Sequence, residues 1–130
     1  MTSVVLDASA FIALLRREPG MEVVHKHLAN AIISAVNYSE VLKKTIERGG
    51  LLEPVNAYVR NASLEIVPFD AEQAVEAAKL YPLTKPLGLS FADRACLNLG
   101  IRYGATVLTT EKSMSKTPAP VTVVLIRGKH

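Results

Sequence analysis

A chain of 130 residues, 49% hydrophobic and 21% charged, fits one domain with a buried core and excludes a disordered or low-complexity protein. Its net charge of +3 permits a polyanionic partner without requiring one. The single cysteine, Cys96, rules out an internal disulfide, and no run approaches the ~18 apolar residues of a membrane span. With a start, MTSVVLD, that lacks the pattern of a secretion signal, these features predict a cytoplasmic protein that does not enter membranes.

In chain order, β-branched runs alternate with helical patterns, the mark of an α/β architecture with a mainly parallel sheet. Strands are predicted at 3–7, 31–35, 64–67, 105–108 and 121–126. The first helix is expected from Ala10 to Arg17, stopped by EPG, and the next from Met21 to about Asn30. NYSEVLKKTIER is amphipathic and closes at Gly49 and Gly50. A short helix from Glu53 to about Ala62 follows, then DAEQAVEAAKLY with Asp70 and Gln73 spaced as a capping box. PLTKPLG is read as a loop, and SFADRACLNLGIRY as a helix ending at Gly104. There is no internal repeat.

Four acids interrupt this pattern. Asp7 ends the apolar run VVL, Glu40 follows the second strand, Asp93 lies in the first turn of a helix, and Glu111 follows the fourth strand. The C-terminal edge of a parallel sheet is where ligands bind, so residues far apart in sequence can meet there. Each acid also has a plainer reading. Asn37 with Glu40, and Ser90 with Asp93, have the spacing of helix caps. Asp7 can cap the first helix through an Asp7-Ala8-Ser9 turn, and Glu111 beside Lys112 can be simply solvated. Taken together, four crowded carboxylates would repel one another unless a cation lay among them.

The cluster offers oxygen donors only. His25 and His27 stand two apart on a helix and His130 is terminal, so nothing has zinc-ligand spacing, and Mg²⁺ or Mn²⁺ matches best. Such a site suits phosphodiester hydrolysis. Setting the four acids aside leaves +7 on the rest of the chain. Arg16, Arg17, Lys43, Lys44, Lys85, Arg94, Lys112 and Lys116 are candidate phosphate contacts, of which Arg94, Lys43 and Lys112 are taken as the substrate-binding set. With four tyrosines and three phenylalanines, an aromatic base-stacking platform is not evident.

VVLDASAFIALLRREPG, SAVNYSEVLKK and LSFADRACLNLGIRYGATVLTTEKSM, in that order, resemble PIN-domain proteins, specifically VapC-type toxins of bacterial toxin-antitoxin pairs. The resemblance spans the chain, 1–130, as a single PIN domain. It implies a three-layer α/β/α sandwich and a metal-dependent endoribonuclease that hydrolyses RNA and inhibits growth. On that pattern Asp7, Glu40 and Asp93 are the core acids, with Asp7 and Asp93 the direct metal ligands and Thr109 and Ser9 supporting them by hydrogen bonds.

The family's usual aspartate followed by an aromatic is replaced here by Glu111 and Met114, which leaves the fourth ligand open. The resemblance further implies structured transfer or ribosomal RNA as substrate, a VapB-like antitoxin and a homodimer. Apolar residues between Met21 and Val59 are available for such contacts. A non-catalytic PIN-like module that binds RNA or protein is the alternative. A receiver-like phosphoacceptor is disfavoured, because apolar residues rather than a paired acid precede Asp7.

Overall fold

The computed structural model describes residues 4–128; Ser3, at the start of the first predicted strand, and His130 lie outside them. Five strands, β1 (Val4–Leu6), β2 (Ala31–Ser34), β3 (Glu65–Val67), β4 (Thr106–Thr109) and β5 (Val123–Leu125), form one sheet in the order β3-β2-β1-β4-β5. All four pairings are parallel. Seven α-helices connect them: α1 (Ala8–Leu15), α2 (Met21–His27), α3 (Ala35–Glu47), α4 (Leu52–Ala62), α5 (Ala71–Lys79), α6 (Tyr81–Thr84) and α7 (Phe91–Tyr103).

The alternation of side chains along each strand divides the core in two. Val4, Leu6, Ile33 and Leu108 face one side and pack with Phe11, Val24, Val41 and Val55. Val5, Ile32, Val67 and Val107 face the other and pack with Leu80, Cys96, Leu97 and Leu99. Helices therefore cover both faces, and the α/β/α sandwich expected from the sequence is the observed fold. Burial on both sides explains why VVL reads as an unbroken apolar run.

Several boundaries differ from expectation for local reasons. The first helix begins at Ala8 rather than Ala10, because Asp7 caps it, and ends at Leu15; Arg17 then takes a left-handed turn at φ 54°. The loop reading of PLTKPLG is corrected: α6 and a 3₁₀ turn at Lys85–Leu87 occupy it. Both prolines stand in a first turn, where a missing N–H costs nothing.

Asn37 is not a helix cap. The strand β2 runs straight into α3, Ser34 serves as the cap by accepting from Val36 N, and Asn37 is buried inside the helix. The Ser90–Asp93 capping box is present as expected. At Asp70 only half of one forms, since Gln73 donates its side-chain amide to Pro68 O instead.

Candidate active site

The sheet reverses direction of growth between β1 and β4, with β2 and β3 added on one side and β5 on the other. This is the switch point at which connections leave in opposite directions and open a crevice. Asp7 sits in it, 2% exposed. Its Oδ1 accepts from Ala10 N at 2.8 Å and from Ser9 Oγ at 2.7 Å, and its Oδ2 accepts from Thr109 Oγ1 at 2.5 Å. Thr109 Oγ1 in turn accepts from Glu111 N, and Ser9 Oγ accepts from Thr110 N, each at 2.9 Å. Two hydroxyls thus stitch the turn after β1 to the turn after β4.

The other three acids surround this point from three elements. Glu40 lies on α3, one turn beyond Asn37, whose side-chain amide donates to Ala92 O in the first turn of α7 at 3.1 Å. That bond ties the helix bearing Glu40 to the helix bearing Asp93. Asp93 Oδ2 accepts from Ser90 N at 2.9 Å, so one carboxylate oxygen is engaged in the cap. Glu111 stands at the start of the loop after β4.

Their charges are felt mutually. Burial pushes Asp7 up to about 6 against the lowering effect of its three hydrogen bonds, with Asp93 adding repulsion. Glu111 is pushed up to about 7 by partial desolvation of its carboxyl and then by the charges of Asp93, Asp7 and Glu40, with Lys44 opposing. Burial and the carboxylates Asp7, Asp93 and Glu111 raise the Cys96 thiol, which lies beneath them on α7. Cys96 is inert packing.

The structure therefore brings all four predicted acids to one edge. Among the described residues none of the four is in an ion pair. No three acid, histidine or cysteine side chains among them converge as a closed ligand set either. A crowded set of oxygen donors, two of them with raised pKa values and none paired to a cation, fits a hard divalent ion by charge and donor type. Asp7 feels the charge of Asp93, and Glu111 feels those of Asp93, Asp7 and Glu40, so the four stand within electrostatic reach of one another.

The three cations taken from the sequence have other surroundings. Lys43 pairs with Glu47 at 3.2 Å across one helical turn. The guanidinium of Arg94 lies 5.3 Å from the centroid of the Tyr81 ring, with its Nε buried and unpartnered. Lys112 is exposed in the loop after Glu111. The cations that line a groove beside the acids are instead Arg16, Lys44, Arg48 and Arg127. Arg48 and Arg127 were not anticipated, because they reach the site only through the turn after α3 and the segment after β5.

Residues 4–120 match the PIN-domain family, and the chain belongs to that family. No curated protein sequence matches it. Among solved structures it is similar in fold to VapC20 of Mycobacterium tuberculosis, described as a sarcin-ricin loop cleaving toxin. That likeness has a TM-score of 0.76 at 17% identity, over 95% of this chain and 99% of that one. The DNA-bound VapBC complex of Salmonella typhimurium gives 0.75 at 15% identity over 98% of this chain and 100% of that one. FitAcB of Neisseria gonorrhoeae gives 0.68 at 22% identity over 95% and 97%.

Proposed function

We propose that this single PIN domain is a metal-dependent endoribonuclease and the toxin of a toxin-antitoxin pair. The observation that carries the reading is the set of four carboxylates without ion pairs, gathered at the β1/β4 switch point of a PIN fold. Asp7 and Asp93 would hold Mg²⁺ or Mn²⁺, with Glu40 and Glu111 completing the acidic ring. When bound, the cation supplies an acidified water and neutralises charge developing on the phosphate.

The chain's own groups account for the rest. Ser9, Thr109 and Ala10 N fix the Asp7 carboxylate in one orientation, so that binding it requires no rearrangement at the moment of reaction. Asn37 and the Ser90 cap tie the helices that carry Glu40 and Asp93, and Glu40 would help hold the cation or orient the attacking water. Glutamate at 111 is one methylene longer than aspartate, so its carboxylate would meet a bound cation only through water or not at all.

Structured transfer or ribosomal RNA in the cytoplasm is the substrate class we assign. For the antitoxin, an apolar cleft of about 240 Å³ lined by Ile12, Leu15 and Val55 beside the site suits the apolar arm of a VapB-like peptide. For a homodimer, Ile46 and Leu51, 59% and 76% exposed, supply uncovered apolar surface. No helix among the described residues is long and apolar enough to cross a membrane.

The test is cleavage of a small-RNA pool by the purified protein with Mg²⁺ or Mn²⁺, with EDTA and Asp93→Asn as controls. Discrete products that need both metal and Asp93 are expected. A folded protein that binds RNA without cutting it under any tested metal would turn the assignment to a non-catalytic PIN-like module that binds RNA or protein.

A further inference from the structure

A groove enclosing about 260 Å³ opens from the acidic cluster, with Ser9 and Glu111 on the border the two share. Its walls carry Arg16 at the end of α1, Lys44 and Arg48 at the end of α3, and Arg127 from the segment after β5. Arg127 is the one most firmly placed. Ile126 N donates to Thr109 O at 3.0 Å, which carries the segment past the edge of the site. Gly20, at φ 97°, lets Ile126 come so close that a Cβ there would meet its carbonyl oxygen at 2.7 Å. Glu18 then pairs with Arg127 Nη1 at 3.1 Å.

Among the described residues, Arg16, Lys44 and Arg48 form no ion pair. Among the described residues Arg16 and Arg48 are left without a carboxylate partner and Lys44 faces Glu111, while Arg127 gives only Nη1 to Glu18, which shares the wall, and to Pro19 O, so its other N–H donors remain for a ligand. A guanidinium presents paired N–H donors that match phosphate oxygens. A polyanion crossing an acidic centre also needs positive charge on its flanks to be held there at all.

We infer that this groove holds the nucleic-acid backbone on one side of the scissile phosphate, with Arg48 and Arg127 each binding a neighbouring phosphate. The inference deepens the ribonuclease reading and rests on it for the identity of the scissile bond. It adds two binding residues, one of them, Arg127, beyond the segment 4–120 that matches the family. The cleft lined by Ile12, Leu15 and Val55 adjoins the groove and shares Arg16 and Arg48, so an acidic peptide is the competing occupant.

The experiment is binding of a labelled single-stranded RNA to the whole protein in EDTA, where nothing is cut, across a salt series. Arg48→Gln and Arg127→Gln are compared with Lys79→Gln on the exposed face of α5. Each groove variant should bind roughly fivefold more weakly at low salt and lower the slope of log affinity against log salt by about 0.7, the loss of one phosphate contact. Where the wild type cleaves, KM should rise with kcat little changed. RNA binding with the wild-type slope in both variants, or weakened binding of an antitoxin peptide alone, overturns the inference. Because the readout is binding, a protein that binds through these arginines but never cleaves would uphold the groove while refuting the nuclease.

Discussion

The hydroxyl of Thr109 donates to Asp7 Oδ2 at 2.5 Å and accepts from Glu111 N, so one atom on β4 serves two of the four acidic positions. Thr109→Val keeps the shape but leaves a buried carboxylate oxygen and a backbone donor without partners. The loss should be about 1–3 kcal/mol in a denaturant titration. Thr109→Ser, which restores the hydroxyl, should recover most of both stability and cleavage.

Asp7 should be a position where stability and activity oppose each other. Its folded pKa is raised from 3.8 to about 6, so the folded chain binds the proton more tightly than the unfolded one. The metal-free protein therefore has the full benefit below about pH 4 and loses it as pH rises through about 6, a loss of about 3 kcal/mol by neutrality. Asp7→Asn removes that titration. In EDTA at pH 7 the variant should unfold at a higher temperature than the wild type, and the difference should shrink toward pH 4. Its RNA cleavage should be abolished.

Asn37 links α3 to α7 while leaving its own buried Oδ1 without a partner. Asn37→Leu removes the link and the unsatisfied oxygen together, so the net cost in stability should be about 1 kcal/mol or less. Glu40 and Asp93 lose their common tether, and the expected signature is a fall in kcat with RNA affinity retained. A large stability loss with unchanged kcat would assign Asn37 to packing alone.

Gly100 holds α7 against the sheet. A Cβ there would come within 2.8 Å of methyl carbons on Val107 and Val121, and within 3.2 Å of Ala105 O. Gly100→Ala should cost about 1–3 kcal/mol by overpacking, read as a lowered thermal midpoint.

The parts of the site that could be read from the sequence are those whose chemistry is local. An acid closing an apolar strand, and a serine three residues before an aspartate, carry their geometry in neighbouring residues, which is why Asp7 caps the first helix and Ser90 forms a capping box with Asp93 as read, although Ser9 falls inside α1 rather than before it. Asn37 was misread because β2 passes into α3 with no loop. The helix had already started at Ala35, and the asparagine that resembled a cap was one turn inside it.

The basic residues show the other limit. Lys43 and Lys44 are adjacent in sequence, yet Lys43 turns to Glu47 and Lys44 toward Glu111, a difference set by helix rotation against the sheet. Arg127 reaches the site through the β4–β5 pairing, information that no local pattern contains.

The bond from Thr109 to Asp7 joins residues 102 positions apart. On a translating ribosome the chain would present its first strand and all the helices from α1 to α7 before the threonine that orients the buried carboxylate has emerged. A nascent or prematurely ended chain lacking β4 would carry Asp7, Glu40 and Asp93 and still have no assembled centre. Whatever chemistry the acids support would appear only after β4 has been made.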